Sequence, residues 1–225
     1  LLFYIHQFVT PERVKYDIFD RVNRGGTPLN KQEMRNALYR GRCTRMLDKL
    51  CCSPEFLIAT GRSINKERMK DQYVVLRAIA FLMLHRGEFK DIPALQYRGD
   101  IDDFLARFMV YVNDNAPEKL IVDYENLFIR CMQISYDLLG ENGFRFSGNG
   151  IRRPINMPLF EALSYLFSFV PEKIDYTWAS RLILDIESVK EEFDDSRYFS
   201  GNIDSTTSVS FRFDRMDKII NRIQL

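Results

Sequence analysis

The glycines and polar residues of one segment are the part of the sequence whose types and spacing predict chemistry. From Tyr16 to Gly41 it reads YDIFDRVNRGGTPLNKQEMRNALYRG. A turn at Gly25 and Gly26 between two predicted helices would leave backbone N–H groups free, and a helix starting at Asn30 would offer more of them. Clustered N–H donors bind anions, so the segment predicts a phosphate cradle.

Polar side chains of the same segment would complete such a site. Arg24 and Arg35 would add charge-assisted hydrogen bonds to a phosphate, and Asn23 would orient a ligand or a water. The same spacing also has a purely structural interpretation, in which Gly25 ends a helix, Glu33 is the acid of a capping box and Arg35 is a surface residue. Spacing alone leaves both interpretations open.

The segment resembles the ParB/sulfiredoxin-like domain that forms the N-terminal half of GmrSD-type modification-dependent restriction enzymes and is shared by many bacterial phage-defence proteins. The family pattern is roughly Phe-x-x-x-Asn-x-Gly-Gly-x-x-Leu-x-x-Gln-Glu-x-Arg-x-Ala. Its positions are filled here by Phe19, Asn23, Gly25, Gly26, Leu29, Gln32, Glu33, Arg35 and Ala37. Weaker similarity continues through residues 67–81 and 156–167, and only the first stretch is specific.

The resemblance implies a fragment of a nucleotide-dependent, DNA-targeting, restriction-like defence protein. Residues 1–41 would be the C-terminal remnant of a ParB-like nucleotide-binding domain, and residues 42–225 a helical domain that relays the state of the pocket. The parent protein would bind a nucleoside triphosphate and DNA, together with a nuclease domain or subunit. The implied phosphate-binding residues are Asn23, Arg24, Gly25, Gly26 and Arg35, with Gln32, Asp71 and Arg77 in support.

Two other signatures of the family do not occur in this sequence. One is an Asp-Gly-Gln-Gln-Arg segment associated with nucleotide hydrolysis, and the other is a His-Asn-His nuclease, for which His6 and His85 are too few. The chain opens LLFYIHQFV, so we expect a fragment of a larger protein. We expect this fragment alone to catalyse nothing, although its parent would be an NTPase or nuclease. The alternative is a non-catalytic helical scaffold that docks other proteins, in which the Gly-Gly turn is purely structural. A third function, a DNA-binding module without nucleotide chemistry, is disfavoured by the near-zero net charge.

Other charged residues give weaker signals. Asp71 and Arg77, six residues apart on one predicted helix, suit a buried polar pair or ligand contacts, but a solvated or core-bracing role is the favoured interpretation. Arg152 and Arg153 would suit a nucleic-acid backbone, which two arginines indicate only weakly. Further arginines share part of one face of the last predicted helix, as on a solvated amphipathic helix or a DNA-binding surface: Arg212, Arg215 and Arg222.

Hydrophobic periodicity and capping patterns predict a mainly α protein, a helical bundle with one or two N-terminal strands. The resemblance to ParB/sulfiredoxin-like domains implies that these strands are left from an α+β domain. The strands would lie within residues 1–9, which are β-branched and aromatic and stop at Thr10-Pro11. Asn30, Asn65 and Asp100 are the predicted helix caps, and the helix after Asn65 would turn one inner face to the core: Met69, Tyr73, Leu76 and Ala80. The helices are predicted from residue 14 to 22, from Asn30 to Gly41, near 43–51, after Asn65, over 101–114, from Pro117 to Gly140, and at about 158–170, 176–194 and 208–223.

Composition bounds the remaining classes. The 225 residues are 46% hydrophobic with 18 Phe and 11 Tyr, enough for a substantial core. A net charge of +1 gives no sign of a nucleic-acid partner. The longest apolar run, residues 78–84, is shorter than the ~18 residues of a membrane span. The four cysteines show no zinc-like spacing, so we expect no metal site, free thiols and a cytoplasmic protein, with the oligomeric state left open.

Overall fold

The computed structural model describes residues 28–147, 151–196 and 198–223. Within these ranges the regular structure consists of α-helices and short 3₁₀ helices, without a β-strand. The prediction of a mainly α protein is therefore confirmed. The predicted strands at residues 1–9 and the first predicted helix, residues 14–22, lie outside the described residues.

Nine α-helices lie in the described part of the chain. They are α1 (Lys31–Leu38), α2 (Arg42–Cys51), α3 (Pro54–Ala59), α4 (Lys70–His85), α5 (Ile101–Asp114), α6 (Glu118–Leu139), α7 (Met157–Phe167), α8 (Tyr176–Asp194) and α9 (Thr206–Ile223). Single 3₁₀ turns are formed by Glu67–Met69, Pro93–Leu95 and Gly140–Asn142. Helix α3 was not predicted, because six residues are too few to show a helical period.

Several helix ends follow their predicted caps. The Asp100 side chain accepts hydrogen bonds from the N–H groups of Asp102 and Asp103, at 3.0 and 3.1 Å, and α5 spans the predicted residues. The prediction that Gly41 closes the helix after Asn30 is wrong. That helix, α1, already ends at Leu38, and Gly41 lies just before α2.

Helix α4 differs from its prediction in two ways. Asn65 does not start it, since its Oδ1 accepts from the Glu67 N–H at 2.8 Å just before the 3₁₀ turn, and α4 begins only after that turn, at Lys70. Met69 therefore precedes the helix. The prediction that only one face of this helix is buried was also wrong, because every residue from 74 to 83 is buried. A helix that is apolar all round lies inside its protein, and α4 is the central helix here.

The other helices pack around α4 on one apolar core. Helix α4 contacts α7 and α2, α7 contacts α9, and α3 lies against α6. Aromatic rings fill the interfaces: Phe56, Phe128 and Phe160 lie 6.2–6.3 Å apart, and Phe144 is 4.3 Å from Phe160. Tyr39, on the N-terminal side of the predicted domain boundary at residue 41, belongs to the same core. The division into two domains stays a prediction.

Four charged side chains meet between α4, α7 and α9, and we call them the buried ion-pair cluster: Arg77, Glu161, Asp204 and Arg212. Arg77 Nε donates to one oxygen of Glu161, and Arg212 Nη2 donates to the other at 3.0 Å. Arg77 Nη2 also lies 2.6 Å from Asp204 Oδ1. Glu161 and Arg212 are fully buried. A charge in such a dry interior is tolerated because it is paired with an opposite charge.

Candidate functional site

The start of α1 is built by a capping box, as predicted. Asn30 Oδ1 accepts from the N–H groups of Gln32 at 2.8 Å and Glu33 at 2.9 Å. Glu33 Oε2 accepts from the Asn30 N–H at 2.6 Å. These bonds use donors that the sequence analysis assigned to an anion. The backbone at this helix start is thus largely satisfied, and a phosphate would have to be held mainly by side chains.

Arg35 is the predicted site residue for which the purely structural interpretation, a surface residue, is wrong. It is not on the surface, since its side chain is 0% exposed. Its Nε donates to Gln32 Oε1 at 3.1 Å, and its Nη1 donates to Asp102 Oδ1 at 2.8 Å. The guanidinium carbon lies 5.3 Å from the centroid of the Tyr73 ring, within cation–π range.

The third nitrogen of Arg35 is unsatisfied. Nη2 is buried and finds no hydrogen-bond partner among the residues that the structure describes. A buried donor without a partner costs about 1–3 kcal/mol, and more when it is charged. Such a group calls for an explanation, and an anionic ligand is one.

Arg35 lines a cavity of about 520 Å³ between α1 and the start of α4. The charged lining side chains are mostly basic: Lys31, Arg35, Arg68, Lys70 and Glu67. Lys70 is exposed and has no acidic partner within the described ranges. We call this space the basic cavity. Its lining suits an anion with several negative charges.

Besides Glu67, the carboxylates of Asp102 and Glu33 partly balance these cations. Burial opposes ionisation of Asp102, but hydrogen bonds from Lys31 and Arg35 outweigh it, so the pKa of this carboxyl lies below its usual value. The same contact with Asp102 raises the pKa of Lys31. The hydrogen bond from Arg68, at 2.8 Å, lowers the pKa of Glu33 in the same way. The side chains of Asp102, Glu33 and Lys31 are therefore charged at neutral pH.

The rim of the basic cavity contains a strained turn. Arg68 and Met69 both have left-handed backbone conformations, with φ of 56° and 58°. Each such residue other than glycine costs about 1–3 kcal/mol, and such strain collects at ligand clamps and active sites. Asn30 Nδ2 holds the turn by donating to the Arg68 carbonyl at 2.7 Å. The turn is thereby fastened to the start of α1.

The structure describes only some of the other predicted site residues. Asn23, Arg24, Gly25 and Gly26 lie outside the described residues. Gln32 lines the basic cavity and supports Arg35.

Asp71 and Arg77 do not form a pair. Six residues on an α-helix turn through about 600°, which places the two side chains about 120° apart around the helix axis. Arg77 belongs instead to the buried ion-pair cluster, and Asp71 Oδ1 accepts from the Gln72 N–H at 2.8 Å. Arg77 is still close to the basic cavity, because its guanidinium carbon lies 5.5 Å from the ring of Tyr73.

The remaining arginines of interest are each engaged by an acid. Arg152 pairs with Glu141 at 2.7 Å, and Arg153 pairs with Asp194. On α9, Arg212 is buried with Glu161, and the other two arginines pair with acids of α8, Arg215 with Glu192 and Arg222 with Asp185. These pairs leave less free positive charge for nucleic acid than the sequence offers.

Sequence reasoning did not assign to a site several side chains that line the cavity, among them Lys31, Arg68, Lys70 and Tyr73, nor Asp102, which contacts Lys31 and Arg35. Arg68 and Tyr73 lie in the stretch of weaker family similarity, which was a signal for them. Asp102 had no signal beyond its place after Asp100, because its partner Arg35 lies 67 residues earlier in the chain.

The described residues offer neither a metal site nor a membrane-spanning helix. They contain no group of three or more His, Cys, Asp or Glu side chains placed to hold a metal ion. No helix among them combines the length and the apolar character that crossing a bilayer would require. Cys43, Cys51, Cys52 and Cys131 are free thiols.

Comparisons of the chain with models of protein families, with curated proteins and with solved structures found no match.

Proposed function

We propose that this chain supplies one wall of a phosphate-binding pocket in a nucleotide-dependent, DNA-targeting defence protein of the restriction type. The observation that carries the proposal is the Nη2 group of Arg35, a buried donor without a described partner in a basic cavity. The resemblance of residues 19–37 to ParB/sulfiredoxin-like domains adds the nucleotide as the source of the phosphate.

The charges around the cavity support a polyphosphate rather than a single carboxylate. Arg35 keeps Nη2 without a described partner although its Nη1 pairs with Asp102, and Lys70 has no acidic partner in the described ranges. Lys31 is 66% exposed in its contact with Asp102. Exposed ion pairs contribute only about 0–1 kcal/mol, so Lys31 would exchange Asp102 for a phosphate at little cost. The glycine turn at Gly25 and Gly26 would supply further N–H donors from the segment just before α1.

The proposed relay runs along α4. The guanidinium groups of Arg35 and Arg77 both contact the Tyr73 ring, at 5.3 and 5.5 Å from its centroid, and Arg77 Nη1 donates to the Tyr73 hydroxyl at 3.0 Å. Arg77 in turn holds Glu161 on α7. A ligand that moves Arg35 would therefore act on a chain of packed side chains that ends in the buried ion-pair cluster.

The test is nucleotide binding by the full-length protein, measured by calorimetry with ATP, GTP, CTP and UTP. Replacing Arg35 with Ala or Lys70 with Ala should weaken binding about tenfold or more, since a hydrogen bond to a charged group contributes about 1.5–3 kcal/mol. Arg45→Ala is the matched control, because Arg45 is exposed on α2 and does not line the cavity. Gly26→Val tests the glycine turn in the same assay.

Each outcome separates the candidates. If folded Arg35 and Lys70 variants bind every nucleotide as tightly as the parent, the pocket lies elsewhere. A loss of affinity for duplex DNA alone would assign the cavity to a nucleic-acid backbone.

The second candidate function is the helical scaffold. It is supported by two large exposed hydrophobic side chains on α8, Tyr176 and Leu184, which are 87% and 71% exposed. Unchanged nucleotide and DNA binding in all cavity variants would favour it.

A further inference from the structure

The orientation of Arg35 depends on a residue that belongs to a distant helix. Asp102 lies in the first turn of α5, where its own N–H is bound by the Asp100 side chain at 3.0 Å. Its Oδ1 accepts from Arg35 Nη1 at 2.8 Å, and its Oδ2 accepts from Lys31. One carboxylate thus contacts two of the cations that line the basic cavity.

The guanidinium group is planar and rigid, so two fixed nitrogens determine where the third one points. Gln32 holds Nε at 3.1 Å and Asp102 holds Nη1, which leaves Nη2 as the only unbound nitrogen of Arg35 within the described structure. Gln32 lies on the same helix as Arg35. Among the hydrogen bonds of Arg35, the one to the acceptor on α5 is therefore the one that fixes the guanidinium relative to another helix.

We propose that Asp102 is a positioning residue for anion binding, which holds Arg35 so that Nη2 is presented to a phosphate oxygen. The proposal rests on the proposed function of the basic cavity. It assigns to Asp102 a role opposite to the one that its charge alone would give it. A carboxylate beside a phosphate site repels the ligand, so by charge alone its removal should tighten binding. By position, its removal should weaken binding.

Three substitutions separate geometry from charge. Asp102→Asn keeps an oxygen acceptor at the same distance along the side chain but removes the charge. Asp102→Glu keeps the charge but moves the acceptor by one methylene group. Asp102→Ala removes both. The Asp102 side chain is 23% exposed, so the Asn and Glu variants should fold even if the Ala variant does not.

The measurement is the affinity of the full-length protein for inorganic triphosphate, a probe without a base or sugar. We expect Asp102→Asn to bind as tightly as the parent or more tightly, and Asp102→Glu and Asp102→Ala to bind about tenfold more weakly. The loss in Asp102→Glu should persist at high salt, because it comes from a short-range contact rather than from long-range charge.

Asp103 provides the matched control. It is exposed, lies in the same turn of α5 and pairs with Arg107 four residues on. Asp103→Asn and Asp103→Ala should leave triphosphate binding unchanged, although each removes one charge from the same helix turn.

Two results would overturn the positioning role while leaving the proposed function intact. One is a parent that binds triphosphate while folded Asp102→Glu binds it equally well. The other is a loss in Asp102→Asn as large as in Asp102→Glu, because the amide oxygen would still hold Nη1. A parent that binds neither triphosphate nor any nucleotide would instead overturn the proposed function itself.

Discussion

His85 shows how one buried side chain makes the fold sensitive to acid. Its ring stacks on Phe213 with 3.5 Å between centroids, and its Nε2 is buried without a hydrogen-bond partner among the described residues. Burial, followed by the nearby charge of Arg212, lowers the pKa of His85 from 6.5 to about 3. His85 is therefore neutral in the folded protein across the ordinary pH range.

The first prediction follows from this pKa. Between about pH 6.5 and pH 3 the unfolded chain binds a proton at His85 that the folded chain does not, so stability falls as the pH falls through this window. On going from pH 7 to pH 5 the parent should lose about 2 kcal/mol of unfolding free energy through this group. His85→Phe, which keeps an aromatic ring against Phe213, should lose correspondingly less. Urea unfolding at the two pH values measures this, and equal losses in both proteins would contradict it.

At the scale of single elements, local signals predicted helix starts well. The cap at Asn30 and the cap at Asp100 are contacts between a side chain and backbone groups two or three residues away. Such contacts are fully specified by a short stretch of sequence. The start of α4 was wrong because the left-handed pair Arg68 and Met69 interrupts the helix, and neither residue type favours that conformation.

The second prediction concerns the cap of α1. Asn30→Ala should cost about 1 kcal/mol of unfolding free energy, because it removes the side-chain acceptor for two backbone N–H groups. The matched control is Asn126→Ala, an exposed position within α6, where alanine favours the helix slightly. Chemical unfolding of both variants gives the comparison. An Asn30 variant as stable as the Asn126 variant would show that the capping box contributes nothing.

Contacts between residues far apart in the chain could not be predicted from the sequence. The sequence indicated that Arg35 and Arg77 were worth attention, but not what they touch. Arg35 finds Asp102 at a separation of 67 residues, and Arg77 finds Glu161 at a separation of 84. Which acid meets which arginine depends on how whole helices pack, and helical periodicity gives no information about that. The basic cavity could therefore be predicted only as far as its first helix.

At the scale of the whole molecule, the buried ion-pair cluster ties three helices together. Glu161 faces Arg77 and Arg212 at once, so its removal would leave two guanidinium groups without that partner in a dry interior. The third prediction is that Glu161→Ala destabilises the protein by about 3–5 kcal/mol.

A matched pair of acids gives the contrast. Glu192→Ala removes the partner of Arg215 at a more exposed position and should cost less than about 1 kcal/mol. Thermal or chemical unfolding of the two variants supplies the measurement. Similar costs for Glu161 and Glu192 would mean that water reaches the cluster.

The fourth prediction compares the central helix with an outer one. Amide hydrogens of α4 between residues 74 and 83 should exchange more slowly than those of any part of α8, because α8 buries only four of its side chains: Leu182, Ile186, Lys190 and Phe193. Hydrogen exchange followed by mass spectrometry at peptide resolution measures both helices in one sample. Faster exchange in α4 than in α8 would contradict the assignment of α4 as the stable central helix of the fold.

The position of the only tryptophan has a consequence for spectroscopy. Trp178 lies near the start of α8, where the Asp175 side chain accepts its backbone N–H at 2.8 Å, and it is not among the residues that line the basic cavity. The cavity contains Tyr73 instead. Intrinsic fluorescence excited at the red edge, where only tryptophan absorbs, therefore reports on the surroundings of α8, and a ligand in the cavity does not contact the fluorophore directly. A triphosphate that shifts this emission would have done so through the helices, which makes the native chromophore an optical sensor for the proposed relay.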